Sequence, residues 1–209
     1  IGLANQIKNS NFKGNVWPIN PHRKSIAGYK CFQDISDLPG VPDSAFIGVN
    51  RTKTLEILTK LNEVGCGGAT CFAAGFSEVD KYGKQLQKKL SKASKDMPFL
   101  GPNCYGYINY LDHIHMWPDQ HGGKEVEKGV AIIAQSSNIA INLTMNTRST
   151  PIAYVLTTGN QAKIDMSDLG LAMINDKRVT AIGIYIEGFK DIKKFEKMAF
   201  SALRSNIPI

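Results

Sequence analysis

A chain of 209 residues with 43% apolar and 21% charged content can bury one large core or two modest ones, which sets it apart from disordered and low-complexity polymers. It holds no apolar run of the roughly 18 residues that a membrane-spanning helix needs, and its first residues lack the order of a signal peptide, so it reads as soluble, with no membrane partner. The net charge of +7 invites an anionic partner, but no stretch interleaves aromatics with arginines as a nucleic-acid groove does, which leaves an anionic small ligand.

Leu3 and Ile7, four apart, predict a helix over residues 2–9. Val16 to Ile19 reads as a short strand ending at Asn20 and Pro21, and a basic loop of His22, Arg23, Lys24 and Ser25 follows. Ligands lie beyond the carboxyl ends of strands in an open parallel sheet, so this loop is placed for a phosphate or is simply a solvated turn. Pro39, Gly40 and Pro42 punctuate a link from Asp34. Strand 45–49 then ends at Asn50, Arg51 and Thr52, and a helix from Thr52 buries Leu55, Leu58 and Leu61. Strand 69–73 gives way to Ala74, Gly75, Phe76, Ser77 and Glu78, small residues among them letting a ligand approach the backbone. Residues 81–95 form a helix with a solvated lysine face and an inner Leu86 and Leu90. Strand 98–100 leads into Gly101, Pro102, Asn103, Cys104, Tyr105 and Gly106. Strand, loop and helix repeated at this spacing predict an α/β fold with a doubly wound parallel sheet, its loops lined along one edge. The helix at Gly2 has no strand to cross over from, so a first strand is expected upstream.

Residues 112–128 break the pattern and read as a long inter-domain loop. His113, His115 and His121 lack a further clustered ligand at metal spacing, so no metal is expected. Trp117, Asp119 and His121 are candidates for the lining of a substrate mouth.

The second half, 125–209, repeats the strand-loop-helix logic. Strand 130–134 is followed by Gln135, Ser136, Ser137 and Asn138, and then Ile139, Leu143 and Thr147 recur at helical spacing. Hydroxyl and amide caps at a helix start either serve the helix alone or, with the unpaired N–H groups and the positive dipole end, make an anion site. Strand 152–156 ends at Thr157, Thr158, Gly159 and Asn160; a helix spans 165–175; strand 179–186 ends at Glu187 and Gly188; a last helix spans 191–204. Ile207 to Ile209 opens another strand, so the chain reads as a fragment of a longer protein. The four cysteines, Cys31, Cys66, Cys71 and Cys104, have no CxxC spacing and read as the reduced thiols of a cytoplasmic protein.

The strings FKGNVWPINP, AAGFSE, GPNCYGYIN, VAIIAQSSNIA, TTGNQAKID and YIEG, in this order across essentially the whole chain, resemble the alpha-type part of nucleoside-diphosphate-forming acyl-CoA synthetases, the superfamily of succinyl-CoA synthetase and ADP-forming acetyl-CoA synthetase. The resemblance implies a Rossmann-like CoA-binding domain over 1–124 and a flavodoxin-like ligase domain over 125–209, both with mainly parallel sheets. It implies that Asn20, Pro21, Lys24, Asn50, Arg51, Ala74 and Gly75 hold CoA, and that Gly101, Pro102 and Asn103 border its thiol end. Ser136 and Ser137, with Gln135, Asn138, Gly159 and Asn160 around them, would hold the phosphate of an acyl phosphate or phosphohistidine. Glu187 would hydrogen-bond the phosphorylated histidine and, with Asn103, is the catalytic candidate. The implied chemistry is a relay from acyl-CoA and phosphate through acyl phosphate and phosphohistidine to a nucleoside diphosphate.

Ser137 stands where the family usually has glycine, GVNR lacks the usual proline, and Lys163 replaces a common acidic residue. The family's glycine-rich first turn is expected before Ile1 and its histidine beyond Ile209. ATP or ADP, with Mg, would bind an ATP-grasp domain or beta-type subunit outside this chain, within an oligomer, and the fragment alone is expected not to turn over. The other partner is a small carboxylic acid. A CoA-sensing regulatory module of a protein acyltransferase is the alternative. A nicotinamide-dependent oxidoreductase would need a GxGxxG followed by an acidic ribose ligand, which this chain lacks.

Overall fold

The computed structural model describes residues 2–209, whose strands form two main sheets and one small hairpin. The chain enters through α1 (Gly2–Asn9), as its leucine-isoleucine spacing predicts. The expected strand at 16–19 is instead an irregular segment with an isolated bridge, Ile19 to Phe32, through Asn20 N–H to Phe32 O and Phe32 N–H to Pro18 O, both 2.9 Å. Pro18 has no N–H to extend a ladder. A two-residue hairpin, β1 (Ser25–Ile26) and β2 (Tyr29–Lys30), occupies the basic stretch, so Lys24 sits on an exposed turn rather than at the end of a sheet strand.

The first sheet is parallel and three-stranded: β3 (Ala45–Ile47), β4 (Ala69–Cys71) and β5 (Phe99–Leu100), in that order. Helices α2 (Arg51–Glu63) and α3 (Lys81–Ala93) cross between them. Asn50 and Asp80 cap them, accepting from Lys53 N–H at 3.0 Å and Gly83 N–H at 2.6 Å. Ile47, Leu58, Leu61, Cys71, Phe76, Leu86, Leu90 and Phe99 close one core. Each fully buried leucine contributes about 1.5–3 kcal/mol, enough to hold helices whose outer faces are polar, and mostly lysine on α3.

The second sheet runs in the order β10-β8-β9-β6-β7. Strands β8 (Gly129–Ala134), β9 (Ile152–Thr157) and β10 (Val179–Tyr185) are parallel to one another. Strands β6 (Tyr107–Asn109) and β7 (Ile114–Met116) form a hairpin whose first arm lies antiparallel to β9. The reading of 112–128 as one long loop is therefore corrected over 114–116, where alternating Ile114 and Met116 join a ladder that local composition does not announce. On one face, Ala131, Ile133 and Ile182 bury with Met166 of α5 (Met166–Ile174) and with Phe195 of α6 (Ile192–Arg204). On the other, Ile108, Tyr110, Trp117 and Val155 pack with Ala140 of α4 (Ser137–Thr144). In α4 the buried residues are Ala140 and Thr144, while Leu143, one of the residues at helical spacing, is 39% exposed.

Both sheets are α/β units with parallel strands at their centres, and no helix among the described residues is long and apolar enough to cross a membrane. All four cysteines are free thiols, and burial pushes that of Cys104 up to about 12.

Candidate functional site

The strand-end loops of the two sheets meet. At the end of β3, Arg51 opens α2 and its Nη1 donates to Gly75 O at 2.6 Å, while its guanidinium lies 5.3 Å from the centroid of the Tyr82 ring. Gly75 has φ +97°, and a Cβ there would press on Arg51 Cδ at 3.0 Å, so the loop after β4 depends on glycine at this place. Glu78 accepts from the N–H of Gly75 at 2.6 Å and of Phe76 at 3.2 Å. The same carboxylate accepts from the Asn160 amide, which also donates to Gln87 Oε1 at 3.0 Å. Glu78 thus joins the AGFSE loop of the first sheet to the TTGN loop of the second. Burial raises its pKa, but the Asn160 and backbone donors outweigh that and hold it below the usual value.

A second clamp lies beside it. Asn160 N–H donates to Pro102 O and Ala162 N–H to Gly101 O, both at 2.9 Å. Gly159, at φ +51°, sits so close that a Cβ would meet Asn103 O at 2.5 Å as well as Pro102 O. Asn103 is exposed at φ +59°, with its N–H on Ala73 O at 2.9 Å, so GPN is tied to AAG as well as to TGN.

At the end of β8, Ser136 caps α4, its Oγ accepting from Ile139 N–H at 3.4 Å. Ser137 Oγ accepts from Tyr105 N–H at 3.1 Å. Ser137 and Asn138 lie in the first helical turn, where N–H groups have no intrahelical acceptor and the dipole is positive. The Gln135 amide oxygen accepts from the N–H groups of Glu187 and Gly188, the latter at 2.8 Å, so β8 and β10 end as one unit. Glu187 is exposed.

Between α3 and these loops runs a cleft of about 840 Å³, lined by Lys84, Gln87, Lys88, Gln135, Asn160 and Lys190 among others. Burial lowers the Lys190 pKa, and its Nζ reaches Ala162 O at 3.4 Å and Lys163 O at 3.3 Å. Three lysines with amide donors suit a multiply charged anion.

The structure thus groups Arg51 with Gly75, Gly101 and Pro102 with Gly159 and Asn160, and Gln135 with Glu187. Ala74 is exposed in the Gly75 loop, and Asn50 is used as a cap. Asn20, Pro21 and Lys24 stand on their own turn, where Asn20 Oδ1 accepts from His22 N–H at 3.0 Å. Trp117 is fully buried, so the expected lining by Trp117, Asp119 and His121 does not form a common mouth. Instead His121 Nδ1 meets Tyr110 Oη at 3.0 Å, and His113 Nδ1 meets Glu125 Oε1 at 2.8 Å. Sequence reasoning missed Glu78 and Gln87 as the inter-loop bridge, whose only local signal is an acid two residues after Phe76 and a glutamine on an otherwise lysine-rich face.

Replacing Glu78 with Gln leaves one acceptor where the carboxylate serves three donors, and turns an NH2 group toward backbone N–H. We expect a stability loss of about 1 kcal/mol, at the low end because the group is exposed, measured by urea denaturation. Because the folded pKa is depressed, the wild-type contribution is present above the unfolded glutamate pKa and fades as pH falls through the folded value. Equal acid sensitivity in wild type and Glu78→Gln would contradict this bridge.

The family model described as "CoA binding domain" matches residues 3–110, and that described as "Succinyl-CoA ligase like flavodoxin domain" matches 127–209. A trans-feruloyl-CoA synthase from an unknown prokaryotic organism is 28% identical over 99% of this chain and 30% of its own length. The alpha subunit of ADP-forming acetate–CoA ligase II of Pyrococcus furiosus is 30% identical over 89% of this chain and 41% of its own. The apo structure of the dinucleotide forming acetyl-coenzyme A synthetase 1 of Ca. Korarchaeum cryptofilum superposes with TM-score 0.88 at 29% identity, over 97% of this chain and 45% of that one. The chain therefore spans less than half the length of each of these relatives.

Proposed function

Since the chain belongs to the CoA-binding domain family and carries a succinyl-CoA ligase-like flavodoxin domain behind it, we propose that it is the CoA- and phosphate-handling part of an ADP-forming acyl-CoA synthetase. The observation that carries this reading is the interlock of GPN with TGN and AAG, which sets the loops of the first sheet against the strand ends of the second.

CoA is assigned to residues 1–124, held by Asn20, Pro21, Lys24, Asn50, Arg51, Ala74 and Gly75, with its thiol toward Gly101, Pro102 and Asn103. Phosphate is assigned to residues 125–209, at the start of α4 and the neighbouring Gln135, Gly159 and Asn160. A phosphate oxygen attacks the thioester carbonyl, a C–O bond forms, the C–S bond breaks and CoA leaves as a thiolate that takes up a proton. A histidine nitrogen then attacks phosphorus, releasing the carboxylate, and the phosphoryl group passes to ADP. The helix start and the lysine-lined cleft stabilise the negative charge gathered at phosphorus. Glu187, exposed at the end of β10, is free to orient that histidine from outside the described chain.

In this reading the nucleotide, with Mg, binds an ATP-grasp domain or a beta-type subunit, and the assembly works in the cytoplasm. The reading is tested with the complete protein by ATP formation from acyl-CoA, phosphate and ADP. CoA binding without ATP formation from any thioester would replace it with a CoA-sensing module.

A further inference from the structure

Resting on that reading, the geometry also bears on which acid is used. The acyl carbon is joined to sulfur before phosphate attack and to a phosphate oxygen after it. Its tail must therefore lie on the surface shared by the loops assigned to the thiol and the helix start assigned to phosphate.

That surface is aromatic. Phe72 is 37% exposed and directly precedes the Ala73–Ala74–Gly75 loop. Tyr105 follows Asn103 and Cys104, and its ring centroid lies 5.5 Å from that of Phe72 at a 49° tilt. Phe46 extends the row on the other side of Phe72 at 5.7 Å, and Trp117 backs Tyr105 edge-on at 5.4 Å. Backbone bonds pin both ends. Tyr105 N–H reaches Ser137 Oγ at 3.1 Å, and Asn103 N–H reaches Ala73 O at 2.9 Å. Trp117 is wholly buried, so the shelf has a rigid floor and Phe72 is its open end. Two carbons of an acetyl group would leave this shelf wet, whereas a ring would cover it and stack.

We propose that Phe72 and Tyr105 form the acyl seat of the site, and that they select a flat, ring-bearing carboxylic acid over acetate.

The test titrates the complete protein with CoA, acetyl-CoA and benzoyl-CoA, in wild type, Phe72→Ala and Phe72→Leu. Benzoyl-CoA is expected to bind wild type about 10-fold more tightly than acetyl-CoA, an advantage in the range of aromatic stacking plus ring burial. Phe72→Ala removes that advantage and leaves acetyl-CoA within about 2-fold; Phe72→Leu, which keeps apolar cover and guards against a folding defect, retains part of it. Equal binding of the two thioesters by wild type overturns the seat, as does a loss shared equally by CoA itself, which would put the carrier on the shelf. A thioester preference that persists without ATP formation would sink the synthetase reading while leaving the seat in place.

Discussion

Asp165→Ala is expected to lower the unfolding free energy by about 2–4 kcal/mol. Asp165 is 3% exposed and caps α5, accepting from Ser167 N–H at 2.9 Å and Asp168 N–H at 3.0 Å. Its second oxygen accepts from Lys194 Nζ of α6 at 2.8 Å. One substitution thus removes a cap and a charge-assisted bond between two helices. The loss stays below that of an isolated buried pair because Lys194 keeps Asp168 at 2.6 Å and is partly open to water. Asp165→Asn, which can still cap, should lose less. The pH dependence has a definite sign. Burial raises the Asp165 pKa, but the Lys194 and backbone donors outweigh it, and the folded value is depressed. The contribution is therefore complete above the unfolded aspartate pKa and disappears as pH falls through the folded one. The Lys194 pKa is raised, its acidic partners overcoming burial, so at the alkaline end the bond is lost only as pH climbs through that raised value. Thermal melts across pH would show wild type and Asp165→Ala converging in acid; parallel curves would contradict the assignment.

Gly159→Ala should cost about 2–3 kcal/mol and reduce turnover by the complete protein about 100-fold. At φ +51° a side chain is strained whatever surrounds it, and here the new Cβ also meets the backbone oxygens of Pro102 and Asn103. Those atoms are backbone of the facing GPN loop, so no flexible side chain can yield. The loop assigned to the thiol must then move away from the strand ends assigned to phosphate. Turnover within about 3-fold of wild type, in a folded variant, would show that the GPN and TGN contact does not set the reaction geometry.

The parts legible in the sequence were those with local causes. Ser136 was legible as a cap and caps α4, and by the same local cause Asn50, Asp80, Asp165 and Asp191 cap the helices that begin after them, accepting from N–H groups two or three residues on. The parallel strands were legible as short apolar runs ending in small or polar residues. Strand β7 was not, because its partner β6 is held in turn by β9, and the pairing of Asn109 with Tyr154 leaves no trace near Ile114. The strand expected at 16–19 failed for the opposite reason: its composition is apolar, but Pro18 interrupts the donors a ladder needs. In the site, the loops were legible and their contacts were not. Glu78 and Asn160 are 82 residues apart, and nothing in either loop points to the other. Trp117 looked like a ligand contact because it sits in a polar stretch, yet the hairpin turns it inward under Tyr105.

The central claim is that the loops of the first sheet hold CoA in front of the second. Isothermal titration of the complete protein with CoA, beside Arg51→Ala and at rising salt, tests it most directly. Arg51 anchors the Gly75 loop and brings a charge to it, so the account predicts saturable binding that weakens about 10-fold or more on substitution, or about 1.4 kcal/mol, and weakens further with salt. Absence of binding, or binding indifferent to both Arg51 and salt, would contradict it.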